Sequence, residues 1–189
     1  MSAQTAEKTV VALGFFDGVH RGHAELIKTA KLRAAELGAR AAVLSFDVSP
    51  SAVITGKCVP LIGSVATRED LIRRVYGVED VIIYPFDRHT MEMDWHEFID
   101  ILVSDFSAAH IVIGHDFHCG FMGRGGPDNI PAYCRERGIG CDVVPKFEID
   151  GITVSSTYIR SLIVSGDIER ANEFLGHPYV FAGTVEDGR

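Results

Sequence analysis

The chain has 189 residues and a formal net charge of −8, long enough for one full domain with a small appendage and too acidic for a protein that grips DNA or RNA through backbone phosphates. Hydrophobic residues make up 47% and charged residues 23%, a composition able to fill a sizeable core. No secretory leader and no bilayer-long apolar run is visible, so no membrane partner is expected; Cys58, Cys119, Cys134 and Cys141 lack Cys-x-x-Cys spacing and read as reduced thiols of a cytoplasmic protein.

The first eight or so residues read as a frayed start, and Val10–Leu13 as a strand. From Gly22 to Leu37, residues Leu26, Ile27, Ala30, Ala34 and Leu37 share one helical face, and Gly38 ends the pattern. Ala41–Phe46 is a second strand. Residues 47–64 hold two prolines and no clear period, which predicts a loop with at most a short element. Thr67 followed by Asp70 resembles a capping box and opens a helix through Tyr76. Val81–Tyr84 is a strand, Asp94 caps a helix to about Val103, and His110–Ile113 is a strand ending at Gly114. A Gly-rich loop, "HDFHCGFMGRGGPDN", follows. Pro127 suits the first turn of a helix ending near Gly138. Cys141–Val144 is a strand and "EIDGITV" a hairpin. Ser155 and Ser156 precede a helix over Tyr158–Val164, Asp167 caps another through Leu175, and "HPYVFAGTVEDGR" reads as a new strand.

Repeated strand–loop–helix units predict an α/β fold with a parallel sheet and helices on both faces. Ligands of such sheets bind beyond the carboxyl ends of the strands. That rim receives both "GFFDGVHRGH", residues 14–23, and the loop 114–126. His20 and His23, three apart at a helix start, can point the same way. A helix N-terminus favours an anion, and Gly14, Gly18 and Gly22 let a phosphate approach the backbone. Asp17 can bind Mg²⁺, cap the helix or fix the loop. His115, His118 and Cys119 match no common structural zinc spacing, and no resident metal is expected. Lys28 and Lys31 read as solvated, and Trp95 as packing.

"GFFDGVHRGH" resembles the His-x-Gly-His signature of the nucleotidylyltransferase superfamily, in the form found in prokaryotic FAD synthetases. "IGHDFHCG" resembles that family's Gly-x-Asp-Phe-x-Phe-Gly flavin loop, and "VSSTYIR" its Ile-Ser-Ser-Thr-x-Ile-Arg motif. The resemblance implies a Rossmann-like fold and transfer of AMP from ATP to FMN, giving FAD and pyrophosphate, with Mg²⁺ accompanying ATP. It implies catalytic roles for His20, His23 and Arg160. It places Ser155, Ser156 and Thr157 at the ATP phosphates and Asp116 and Phe117 at FMN; from their place in the first loop Gly14, Phe15, Asp17 and Gly22 are expected at ATP, and Arg124, in the second loop, either closes over phosphate beside FMN or is solvated. It further implies an adenylyltransferase domain over residues 1–176 and, from 177, only the first strand of a riboflavin-kinase domain. One strand cannot close a barrel, so no riboflavin kinase activity is expected of these residues alone.

Three positions depart from the family pattern. Ser49 stands where the family has a histidine, Cys119 replaces the second aromatic of the flavin loop, and His118 replaces a common Arg. Those departures keep other readings open. One is a superfamily member with a different phosphorylated acceptor; another is a flavin- or nucleotide-binding module with little catalysis. The oligomeric state is not legible.

Overall fold

The computed structural model describes residues 7–182. Five short strands and their crossovers build the frame: β1 (Thr9–Leu13), a 3₁₀ turn (Asp17–Val19), α1 (Arg21–Leu37), β2 (Arg40–Phe46), α2 (Pro50–Thr55), α3 (Val65–Tyr76) and β3 (Asp80–Tyr84) form the first half. The second half is α4 (Arg88–Glu92), α5 (Trp95–Asp105), β4 (Ala108–Gly114), a 3₁₀ turn (Phe121–Gly123), α6 (Ile130–Glu136) and β5 (Gly140–Val144). A hairpin, β6 (Glu148–Ile149) and β7 (Ile152–Thr153), leads to α7 (Ser156–Ser165) and α8 (Ile168–Leu175).

The sheet order is β3-β2-β1-β4-β5 and every pairing is parallel. This is the Rossmann-like arrangement. The chain leaves β1 in one direction for β2 and returns on the other side of β1 as β4. A crevice opens at that reversal, beyond the strand ends. The loops after β1 and β4 flank it.

Both faces of the sheet are covered, so its strands carry apolar residues on both sides. Val10 and Ala12 of β1 pack with Leu26, Ile27, Ala30 and Ala34 of α1. Val11 and Leu13 pack the other way, with Phe98, Ile99 and Leu102 of α5 and Ile130 of α6. A third cluster joins α7 and α8 through Ile159, Leu162, Phe174 and Leu175. Burying any one of these large side chains contributes about 1.5–3 kcal/mol.

Three elements differ from the sequence expectation. The cap of α3 is Ser64, whose hydroxyl accepts from the Thr67 amide at 3.1 Å, so Thr67 lies inside the helix. Residues 47–64 hold the short element allowed for them, α2, which buries none of its residues and so carries no apolar period. Helix α6 starts at Ile130, because the Asn129 side chain bonds the Gly126 amide and the Arg124 carbonyl, each at 2.8 Å, and holds residues 124–129 as a turn. Residues 177–182, the first part of the expected strand, form none, and the rest of that expectation falls on residues 183–189, outside the described range. No helix among the described residues is long and apolar enough to cross a membrane.

Candidate active site

Strand β1 runs through the centre of the sheet and delivers Gly14 to the rim, where the Gly14 amide still bonds the Leu44 carbonyl at 3.2 Å. The chain then turns sharply. Phe16 and Val19 both take left-handed backbone angles, φ 56° and 43°, a conformation costing a β-branched residue about 1–3 kcal/mol. Complete burial of both side chains holds them there. Three successive carbonyls of the turn are gripped from outside. Ser156 donates to Asp17 O at 2.9 Å, His177 contacts Gly18 O at 3.0 Å, and the Tyr76 hydroxyl donates to Val19 O at 3.0 Å.

Asp17 fixes this loop, one of the three roles open to it in the sequence. Its carboxylate is buried and accepts from the Ile62 and Gly63 amides at 2.9 and 3.4 Å and from Arg160 at 3.0 Å. Burial pushes its pKa up; those amides and Arg160 pull it back. Gly18, with φ 76°, lies against Ile62, which a Cβ would meet at 2.8 Å. It serves the turn and its packing, and it does not line the cavity described below.

His20 is the N-cap of α1. Its Nδ1 accepts from the His23 amide at 3.3 Å, which leaves the proton of the neutral ring on Nε2. The two imidazoles stack 3.6 Å apart, 10° from parallel. Gly22 suits the close packing here, since a Cβ would press on the His20 ring at 3.2 Å. Burial drives the His20 pKa down to about 4. His23 is held well below the usual histidine range, by burial first and then by His20 and Arg68. Both rings are therefore neutral at pH 7. The positive potential at this corner comes from the helix start, and the imidazoles add N–H donors rather than charge.

These groups face a cleft of about 390 Å³. Gly14, Phe15, His20, Gly22 and His23 line it from the first loop. Gly114, Asp116, Phe117 and their histidine neighbours His115 and His118 line it from the second. Ser155, Ser156 and Thr157, the N-cap and first turn of α7, complete one side. Two helix N-termini, of α1 and α7, thus open into one space, each offering unsatisfied amides to an anion.

Three expected residues lie outside that lining. Asp17 and Arg160 pair with each other, and Arg160 also donates to Thr157 Oγ1 at 3.1 Å. Arg124 sits 5.9 Å over the Phe121 ring. Lys146 lines the cleft without having been singled out in the sequence, and His115, weighed there only as a zinc ligand, lines it too. Their signal was positional: each follows the end of a sheet strand, β5 or β4, on the binding rim.

A second cavity of about 620 Å³ adjoins the first through the shared residues Phe46, Pro50 and His118. Its walls are apolar, with Ile54, Phe86, Phe98, Phe121 and Met122. Its edge is the loop closed by paired Cys119 and Gly125 backbones, in which Gly120 is forced by Trp95, 2.5 Å from where a Cβ would stand. Together the cavities can hold a phosphorylated group beside a broad apolar one. No group of three or more His, Cys, Asp or Glu side chains able to hold a metal occurs among the described residues.

A family model described as FAD synthetase matches residues 2–158. A bifunctional riboflavin kinase/FMN adenylyltransferase of Bacillus subtilis is 36% identical over 183 residues, covering 96% of this chain and 57% of the relative. An FAD synthetase of Listeria monocytogenes is 31% identical over 182 residues, covering 95% of this chain and 73% of the relative. A crystal structure described as a macrolide-efflux protein from Streptococcus pneumoniae superimposes with a TM-score of 0.82 at 28% identity, covering 93% of this chain and 57% of that one. The chain spans little more than half the length of the bifunctional relatives it matches.

Proposed function

The chain belongs to the FAD synthetase family, and from that premise we propose that it transfers AMP from ATP to the phosphate of FMN, forming FAD and pyrophosphate. The observation that carries the reading is the joined pair of cavities, one at two helix N-termini and one apolar. The triphosphate suits the first, whose wall includes Asp116 and Phe117, and the flavin ring the second, with Phe46, Pro50 and His118 shared between them.

The attacking oxygen belongs to a phosphate monoester whose second pKa is about 6, so it is largely dianionic at neutral pH and needs no general base. The obstacle is repulsion between two anions and charge gathering on the departing pyrophosphate. Positioning and fixed dipoles meet it. The neutral N–H groups of His20 and His23 and the amides of the α1 and α7 starts are the donors. Arg160 acts by holding Asp17 and Thr157 in place.

Mg²⁺ enters with ATP as part of the substrate and lowers the charge of the triphosphate. Asp116, the one carboxylate on the cleft wall among the described residues, is its candidate protein contact, in keeping with an ion held mainly by phosphates and water. Residues 1–176 form the adenylyltransferase unit and residue 177 begins the next. The four free thiols and the nucleotide substrates fit a cytoplasmic setting.

The test is incubation of the chain with FMN, ATP and Mg²⁺, followed by chromatography. FAD and pyrophosphate are expected in equal amounts. Pantetheine phosphate or nicotinamide mononucleotide, offered in place of FMN, should yield no adenylylated product. Turnover of either one with FMN untouched would replace this reading with that of a different acceptor.

A further inference from the structure

Two anions meet in the proposed reaction, yet the walls of the cleft hold little positive charge. His20 and His23 are neutral at pH 7. Arg160 is committed to Asp17. Arg68 lies buried behind the wall, donating to the Phe15 carbonyl and the Ser45 hydroxyl. Among the described residues, Lys146 is the one lysine or arginine that lines the cleft.

Its placement is specific. Lys146 lies between the end of β5 and the start of β6, in a stretch pinned to the far side of the hairpin by the Val154 amide, which donates to Phe147 O at 2.9 Å. Val154 immediately precedes Ser155, the N-cap of α7. The ammonium group therefore belongs to the same side of the cleft as the α7 start. Its present partner is Glu148, at 2.8 Å, which also accepts from Thr153 at 3.2 Å. The Lys146 side chain is 56% exposed. A solvent-exposed ion pair of this kind is weak, and an entering polyphosphate offers several charged oxygens where Glu148 offers one carboxylate. Glu148 keeps Thr153 when the lysine leaves.

Resting on the reading of the cleft as an ATP site, we propose that Lys146 swings from Glu148 to the polyphosphate of the nucleotide and sets the cleft's preference for a triphosphate over a monophosphate. With Asp116 also on the wall, losing Lys146 leaves the lining side chains net negative, so the effect rises with the charge of the ligand.

Titration calorimetry of the whole chain with Mg-ATP, pyrophosphate and AMP tests this in the unaltered protein and in Lys146→Gln, Lys146→Arg and Glu148→Gln. Loss of one charge-assisted contact predicts ATP and pyrophosphate binding weaker by roughly 10- to 100-fold in Lys146→Gln, with AMP much less affected. Lys146→Arg retains most of the affinity, and Glu148→Gln binds ATP at least as tightly as the unaltered chain. Equal ATP affinity in Lys146→Gln and the unaltered chain overturns the inference, as does an equal loss for AMP and ATP. A chain that binds ATP through Lys146 but makes no FAD contradicts the proposed reaction and leaves this inference standing. A chain that makes FAD with Lys146→Gln unchanged in its KM for ATP contradicts this inference alone.

Discussion

His20 allows the charge state of the corner to be measured through stability. Its ring is 6% exposed, and burial lowers its pKa from 6.5 to about 4. In the unfolded chain it takes up a proton near pH 6.5, while the folded chain refuses one until about pH 4. This contribution is fully present above pH 6.5 and is lost as the pH falls through that window. Between pH 8 and pH 5 the loss from this one group comes to about 2 kcal/mol. Asn is the informative replacement, because it is among the best N-caps and can accept from the His23 amide as His20 Nδ1 does, but it does not titrate. Urea unfolding of the unaltered protein and His20→Asn at both pH values is the assay. With a denaturant slope of about 2 kcal/mol per M, the midpoint of the unaltered protein should fall by about 1 M more than that of the variant. Equal falls would mean that burial does not hold this imidazole neutral.

His23→Ala removes one N–H donor from the cleft and should lower kcat by about 10²–10³-fold, with FMN affinity nearly unchanged; intact turnover with lost flavin binding in fluorescence titration contradicts its place at the reacting phosphate. Ile54 is 62% exposed at the edge of the apolar cavity, so Ile54→Asp should leave thermal stability nearly unchanged. Its expected effect is a KM for FMN raised by about 10-fold, the worth of an apolar contact of 1–2 kcal/mol, while the KM for ATP holds; an unaltered FMN KM would place the ring elsewhere.

The central strands and their helices were legible because burial on both faces left continuous apolar runs such as Val10–Leu13, and a 3.6-residue period marked α1. The first histidine corner was legible because glycines and histidines accumulate where a strand ends. Helix α2 was legible only as a short element without bounds, since it buries no residue and leaves no period to read. Lys146 was missed for a related reason: a single cation in a strand-to-hairpin loop carries no pattern until the sheet fixes which rim it faces. Arg160 was placed among the ligand contacts from its motif, but its engagement with Asp17, 143 positions away, is a tertiary fact. The neutrality of His20 and His23 was beyond the sequence altogether, because it depends on how much water the fold removes.

The clasp on the 3₁₀ turn has an implication for biogenesis. Its three carbonyls are held by residues 57, 139 and 159 positions further along the chain. A nascent polypeptide released from the ribosome as far as Val144 already owns all five strands of the sheet, but not Ser156 or His177. Affinity for nucleotide should therefore arrive cooperatively, after the sheet is made and only when α7, α8 and His177 dock onto a turn synthesised before any of them.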